Sequence, residues 1–135
     1  MYELKLFAFC TTILSSKLYT QYTKEMINRK DFLGLFESNR YTIHTIFING
    51  FFLAIESRHF AEAAFFENWI KAHFYNEAYL RIVFKFAQGE LLFLQGNKEN
   101  GLKQMKQAVH ILQLLDCQTS AEYYQNGIEK LLKEN

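Results

Sequence analysis

Two rows of side chains recur at helical spacing and could together hold an extended peptide. Projection at about 100° per residue places them on one narrow stripe of each of two predicted helices. Carboxamides can pair with peptide backbone groups, a guanidinium can hold a carboxylate, and the aliphatic members supply apolar contact. The predicted peptide-contacting residues are Thr42, Ile46, Asn49 and Leu53 on the first helix, and Arg81, Lys85, Gln88 and Leu92 on the second.

The two rows keep the same register when the sequence is shifted by 39 residues, the interval from Gly50 to Gly89. If such helices stack side by side, the rows face a shared concave groove. The same pattern also arises where the edge of a helix is only solvated, so the sequence leaves both interpretations open.

Other chemistry finds less support in the sequence. His44 and Glu90 project onto apolar arcs of their helices, where a buried group with a structural partner is the favoured interpretation. The remaining histidines and the two cysteines have no companions at metal-ligand spacing. Phosphate-binding glycine loops and nucleophile motifs are also absent. We therefore predict no metal, no cofactor and no catalysis.

The composition predicts a single all-α domain. The chain has 135 residues, of which half are hydrophobic, with no proline and only six glycines. Few helix breakers in a chain long enough for one sizeable core favour helices throughout. The net charge of +1 supplies no broad electrostatic attraction for nucleic acid or for an anionic membrane.

Cysteine use and hydropathy predict a cytoplasmic protein. Cys10 and Cys117 are far apart in apolar helical patterns, which favours buried thiols over a disulfide. No cleavage site follows the apolar N-terminal stretch. The longest apolar run, residues 46–55, is shorter than the roughly 20 residues that a membrane-spanning helix needs.

Apolar residues at helical spacing predict three helical hairpins and a last helix. Gly96 fits the end of one helix and Asn97 the start of the next, and the 39-residue shift places the Ser57–Arg58 turn on this Gly96–Asn97 turn. A capping-box pair, Thr119 and Glu122, would open the last helix. We predict a short α-solenoid of tetratricopeptide-like hairpins at about 3–29, 41–74 and 77–115, with a capping helix at about 120–133.

The last third of the chain, "FKFAQGELLFLQGNKENGLKQMKQAVHILQLLDCQTSAEYYQNGIEKLL", resembles the C-terminal end of the Rgg/GadR/MutR family of Gram-positive transcriptional regulators. The resemblance rests on Gly89, the Gly96 turn, Gly101 and the closing residues 122–124. "TIFINGFFLAIESRHFAEA" resembles an earlier repeat of that family. Part of this spacing is also close to that of a generic tetratricopeptide repeat.

The resemblance implies a helical repeat domain that dimerises and binds a short signalling peptide. In the family such a domain follows an N-terminal helix-turn-helix domain, for which the first 40 residues show no pattern. Our leading hypothesis is therefore the regulatory domain of an Rgg-like regulator, a homodimer that reaches DNA only through a helix-turn-helix domain absent from this sequence. The alternative is a tetratricopeptide-like protein–protein scaffold without a peptide ligand.

Overall fold

The computed structural model describes residues 14–73 and 77–135, and within them every regular element is an α-helix. The all-α prediction is confirmed. The first helix of the predicted hairpin at 3–29, together with Cys10, lies for the most part outside the described residues. The helices are α1 (Ser16–Ile27), α2 (Phe32–Ser38), α3 (Arg40–Glu56), α4 (Phe60–His73), α5 (Ala78–Leu94), α6 (Lys98–Leu114) and α7 (Gln118–Glu134).

The chain forms two compact units, Met1–Leu80 and Arg81–Asn135, called here the first and second units. The first unit contains α1 to α4, and the second contains most of α5 together with α6 and α7. The single repeat domain remains a prediction, and each unit is described by itself.

Three helices end in the same left-handed turn. In each, one residue adopts a positive φ, and the N–H of the residue after it donates to a carbonyl five positions back, the Schellman arrangement. Only one of the three positions is a glycine, although a side chain is disfavoured in this conformation. The left-handed residues are Arg58 (φ 57°) after α3, Gly96 (φ 102°) after α5 and Asp116 (φ 59°) after α6.

These turns correct the predicted repeat register. Arg58 corresponds to Gly96, an interval of 38 residues, whereas the sequence shift of 39 paired Ser57 with Gly96. Helices α3 and α5 each have 17 residues, and both of their ends are also 38 residues apart. In this register Asn49 corresponds to Ala87, so it is not the counterpart of Gln88. The 39-residue match failed because the left-handed residue of the first turn is an arginine.

In the first unit, α3 packs against α1, α2 and α4. Tyr19 of α1 is fully buried, and its hydroxyl donates to the Ile46 carbonyl at 2.9 Å. Gly50 makes this packing possible, since a Cβ at this position would lie 2.4 Å from the ring of Phe66 on α4 and 2.8 Å from the ring of Tyr19. The notch at Gly50 therefore receives an aromatic ring from each of two neighbouring helices.

In the second unit, two glycines allow α5 and α6 to approach at backbone contact. A Cβ on Gly101 would lie 2.5 Å from the Gly89 carbonyl oxygen and 2.5 Å from the Phe93 nitrogen. The close approach also lets the Gln104 side chain donate to the Lys85 carbonyl at 3.0 Å. Helix α7 then buries a stripe, with Ala121, Ile128 and Leu131 in the core and Tyr124 partly exposed.

The predicted capping box of the last helix is wrong. Helix α7 begins at Gln118 with Cys117 as its N-cap, and Thr119 and Glu122 are exposed residues inside the helix. The left-handed turn at Asp116 ends α6 two residues before α7 begins, and the N-cap residue Cys117 makes no side-chain cap bond. Cys117 itself is half-buried with a free thiol and does not lie in the core.

Candidate functional site

The predicted row on α3 is only partly accessible. Thr42, Asn49 and Leu53 are half-buried, and they keep some surface for contact. Ile46 is wrong as a contact residue, because its relative exposure is 0%. It lies in the packed part of α3, where Tyr19 contacts its carbonyl, and we remove it from the candidate set.

The predicted row on α5 is more accessible. Arg81 is exposed, and Lys85, Gln88 and Leu92 are half-buried, so all four present surface along one face of the helix. Arg81 and Lys85 are one turn apart, which places two cationic groups side by side. This row belongs to the second unit and the α3 row to the first, and they remain two separate candidate surfaces.

A second polar feature lies inside the first unit. His44 is fully buried, as the sequence predicted, and its Nδ1 lies 3.5 Å from Oε1 of Glu77. Burial lowers the pKa of His44 below 6.5, the Glu77 carboxylate acts in the opposite direction, and the electrostatic effects of Arg40 and His73 lower it further. At neutral pH the imidazole is therefore uncharged.

Aromatic rings enclose this histidine on two sides. Phe36 of α2 meets the His44 ring edge-on, with centroids 5.5 Å apart, and Trp69 of α4 lies 6.0 Å from it. The Arg40 guanidinium lies over the Phe36 ring at 4.8 Å. We call Phe36, Arg40, His44, Trp69, His73 and Glu77 the His44 cluster.

Sequence reasoning found only His44 of this cluster. A histidine in an otherwise apolar helix is visible in the sequence, but its partners come from three other segments at unrelated spacings. Trp69 also stacks on Phe47, with centroids 3.6 Å apart, and on His73 at 4.0 Å. The stack on His73 follows the i, i+4 spacing of α4, whereas the stack on Phe47 joins two helices and no periodicity within a single helix could have indicated it.

One pair in the first unit has the residue types of a nucleophile and its base. The Ser16 hydroxyl contacts Nδ1 of His59 in the turn between α3 and α4. Ser16 is only 2% exposed, so a substrate could not reach its oxygen. The contact instead ties the start of α1 to that turn.

Residues 14–73 and 77–135 contain no group of three or more histidine, cysteine or acidic side chains that could hold a metal ion. None of the helices described there has the length and apolar character to span a membrane.

Comparison with models of known protein families gives a match. The family described as the C-terminal domain of the HTH-type transcriptional regulator Rgg matches residues 1–126. No curated protein matches the chain.

Proposed function

The chain belongs to the family of Rgg C-terminal domains, regulatory domains of helix-turn-helix transcriptional regulators, and we propose that it binds a short signalling peptide. In this proposal it acts as a homodimer in the cytoplasm and has no catalytic activity. DNA binding belongs to a helix-turn-helix domain that is not part of residues 1–135. Peptide would act by favouring one arrangement of the helical repeats.

The observation that supports this proposal is the accessible row on α5. Arg81 and Lys85 lie one turn apart near the start of α5, and their cationic groups could together hold a ligand carboxylate. Gln88 could then pair with the peptide backbone, and Leu92 could contact an apolar side chain.

Calorimetric titration with synthetic peptides tests this proposal. The probes are short hydrophobic peptides with an acidic group at one end, each paired with its carboxamide counterpart. Loss of a charge-assisted hydrogen bond costs about 1.5–3 kcal/mol, so Arg81→Ala should weaken binding by roughly tenfold or more. The carboxamide peptides should bind wild type more weakly but show little further loss with Arg81→Ala.

Lys103→Ala provides a matched control, because Lys103 is an exposed cation on α6 of the same unit and lies outside the row. It should leave the affinity unchanged. The double variant Asn49→Ala with Arg81→Ala tests both rows together. Peptide binding that persists in this variant would rule out the proposed sites.

Exposed apolar residues in the second unit favour a protein–protein contact as well. Leu114 is 68% exposed, Leu115 59% and Tyr123 71%. In the proposed homodimer, a second copy of the chain would cover these residues. Comparing the sedimentation of wild type with that of Leu114→Lys tests this. A folded partner retained by the immobilised chain, with no response to any peptide, would instead support the scaffold alternative.

A further inference from the structure

Helix α2 is the most weakly anchored helix of the first unit. It has seven residues, and Phe36 is its single buried side chain. Its N-cap residue, Asp31, makes no side-chain cap bond, and Leu33 is 71% exposed. Short helices with few buried contacts open at a lower free-energy cost than the rest of a domain. The docking of α2 therefore depends mainly on Phe36.

Phe36 covers the buried histidine. Its ring meets His44 and Trp69 edge-on, with centroids 5.5 Å and 5.6 Å away, and the His73 ring lies 6.1 Å away. With this ring in place, His44 has no exposed surface. Removing it would open the side of the cluster that faces α2.

A proton on His44 would meet opposing charges in the closed state. Glu77 attracts it across 3.5 Å, whereas Arg40 on the same helix and His73 on α4 repel it. Phe36 of α2 contributes no charge. Burial of the imidazolium outweighs the attraction of Glu77, because the loss of hydration is the largest effect on the pKa of His44. Opening α2 would admit water at the smallest cost in buried contacts.

We propose that α2 is an acid-released lid, which protonation of His44 lifts from the cluster. In the released state Phe36 leaves its place, His44 becomes accessible to water and the half-buried Trp69 becomes more exposed, while α3 and α4 stay packed through the stack of Phe47 on Trp69. This inference does not depend on peptide binding.

Hydrogen–deuterium exchange of the whole chain, corrected for the intrinsic pH dependence of exchange, tests the lid. As the pH falls below 6.5, the protection factor of residues 32–38 should decrease by up to about tenfold per pH unit. Protection in α4 should stay above that of α2 at every pH, and protection in α6, which belongs to the second unit, should not change over the same range. His44→Phe keeps an aromatic ring without a titrating group and should abolish the decrease, whereas His110→Gln, at an exposed position of α6, should leave it intact.

Several results would overturn the lid. One is a decrease that persists in His44→Phe, or in His44→Gln if the phenylalanine variant does not fold. Protection that rises in acid would mean that the ion pair with Glu77 dominates. Phe36→Ala is an independent test. At neutral pH it should lower the protection of α2 from hydrogen exchange, while α3 and α4 remain protected. Equal loss of protection in all three helices would show that α2 does not open separately.

Discussion

Replacing Gly101 by alanine should force α5 and α6 apart. The new Cβ would lie 2.5 Å from two backbone atoms, the Gly89 oxygen and the Phe93 nitrogen, which cannot rotate away. The helices would have to separate by about 0.9 Å to reach ordinary contact at 3.4 Å. The hydrogen bond from Gln104 to the Lys85 carbonyl spans the same crossing and would lengthen with it.

The net effect is the difference between two opposing contributions. Overpacking of this kind costs about 3 kcal/mol at the upper end of its usual range. Alanine restores about 1 kcal/mol over glycine inside a helix. We therefore expect Gly101→Ala to lower the free energy of unfolding by about 2 kcal/mol, which corresponds to a decrease in melting temperature of roughly 8 °C at this chain length.

Gly127→Ala is the matched control. Gly127 is an exposed residue inside α7, and a Cβ there would only touch the Phe86 ring at 3.8 Å. The same substitution should therefore raise stability, by about 0.5–1 kcal/mol. Urea unfolding followed by far-ultraviolet circular dichroism measures both variants. Trp69, the single tryptophan, reports on the first unit by fluorescence. A Gly101→Ala protein as stable as wild type, or equal changes in both variants, would refute the close-contact explanation.

Three further predictions concern the described helices. Tyr19→Phe removes the donor to the buried Ile46 carbonyl and should cost about 1 kcal/mol in urea unfolding, whereas Tyr123→Phe at an exposed position should change stability by less than about 0.5 kcal/mol. Stability should fall as the pH drops below 6.5, because the unfolded chain binds a proton that folded His44 resists. This contribution is at most about 1.4 kcal/mol per pH unit and should be missing from the pH dependence of His44→Phe unfolding. Gly96→Ala should lower the melting temperature through a cost of about 1 kcal/mol at its positive φ, while Asp116→Gly should not lower it; a stable Gly96→Ala protein would argue against the left-handed turn.

The sequence predicted those features that depend on one helix at a time. Apolar spacing identified the helices, and Gly96 marked its turn correctly because glycine is the usual residue at a left-handed helix end. Arg58 and Asp116 carry no such signal, since their side chains are disfavoured in that conformation, and the backbone hydrogen bonds of each turn help to hold them there. That is why the repeat register was displaced by one residue and the start of α7 was misassigned.

The candidate site was predicted less completely than the fold. The accessible residues of α5 could be predicted by projecting the sequence onto a helix, because polar residues form a stripe on an otherwise apolar helix there. The burial of Ile46 could not, since it depends on how α1 packs across α3. The partners of His44 come from α2, α4 and the segment before α5, so only tertiary structure brings them together.

The recurring turns have a consequence for how such a chain could grow. A block from His59 to Gly96 starts just after one left-handed turn and ends on the next, and it contains 38 residues. Duplicating that block would join Gly96 to a second copy of His59, so each new junction would reuse a backbone geometry that the protein already makes. The chain could thus be lengthened by complete 38-residue repeats, through gene duplication or design, without a new type of turn between helices.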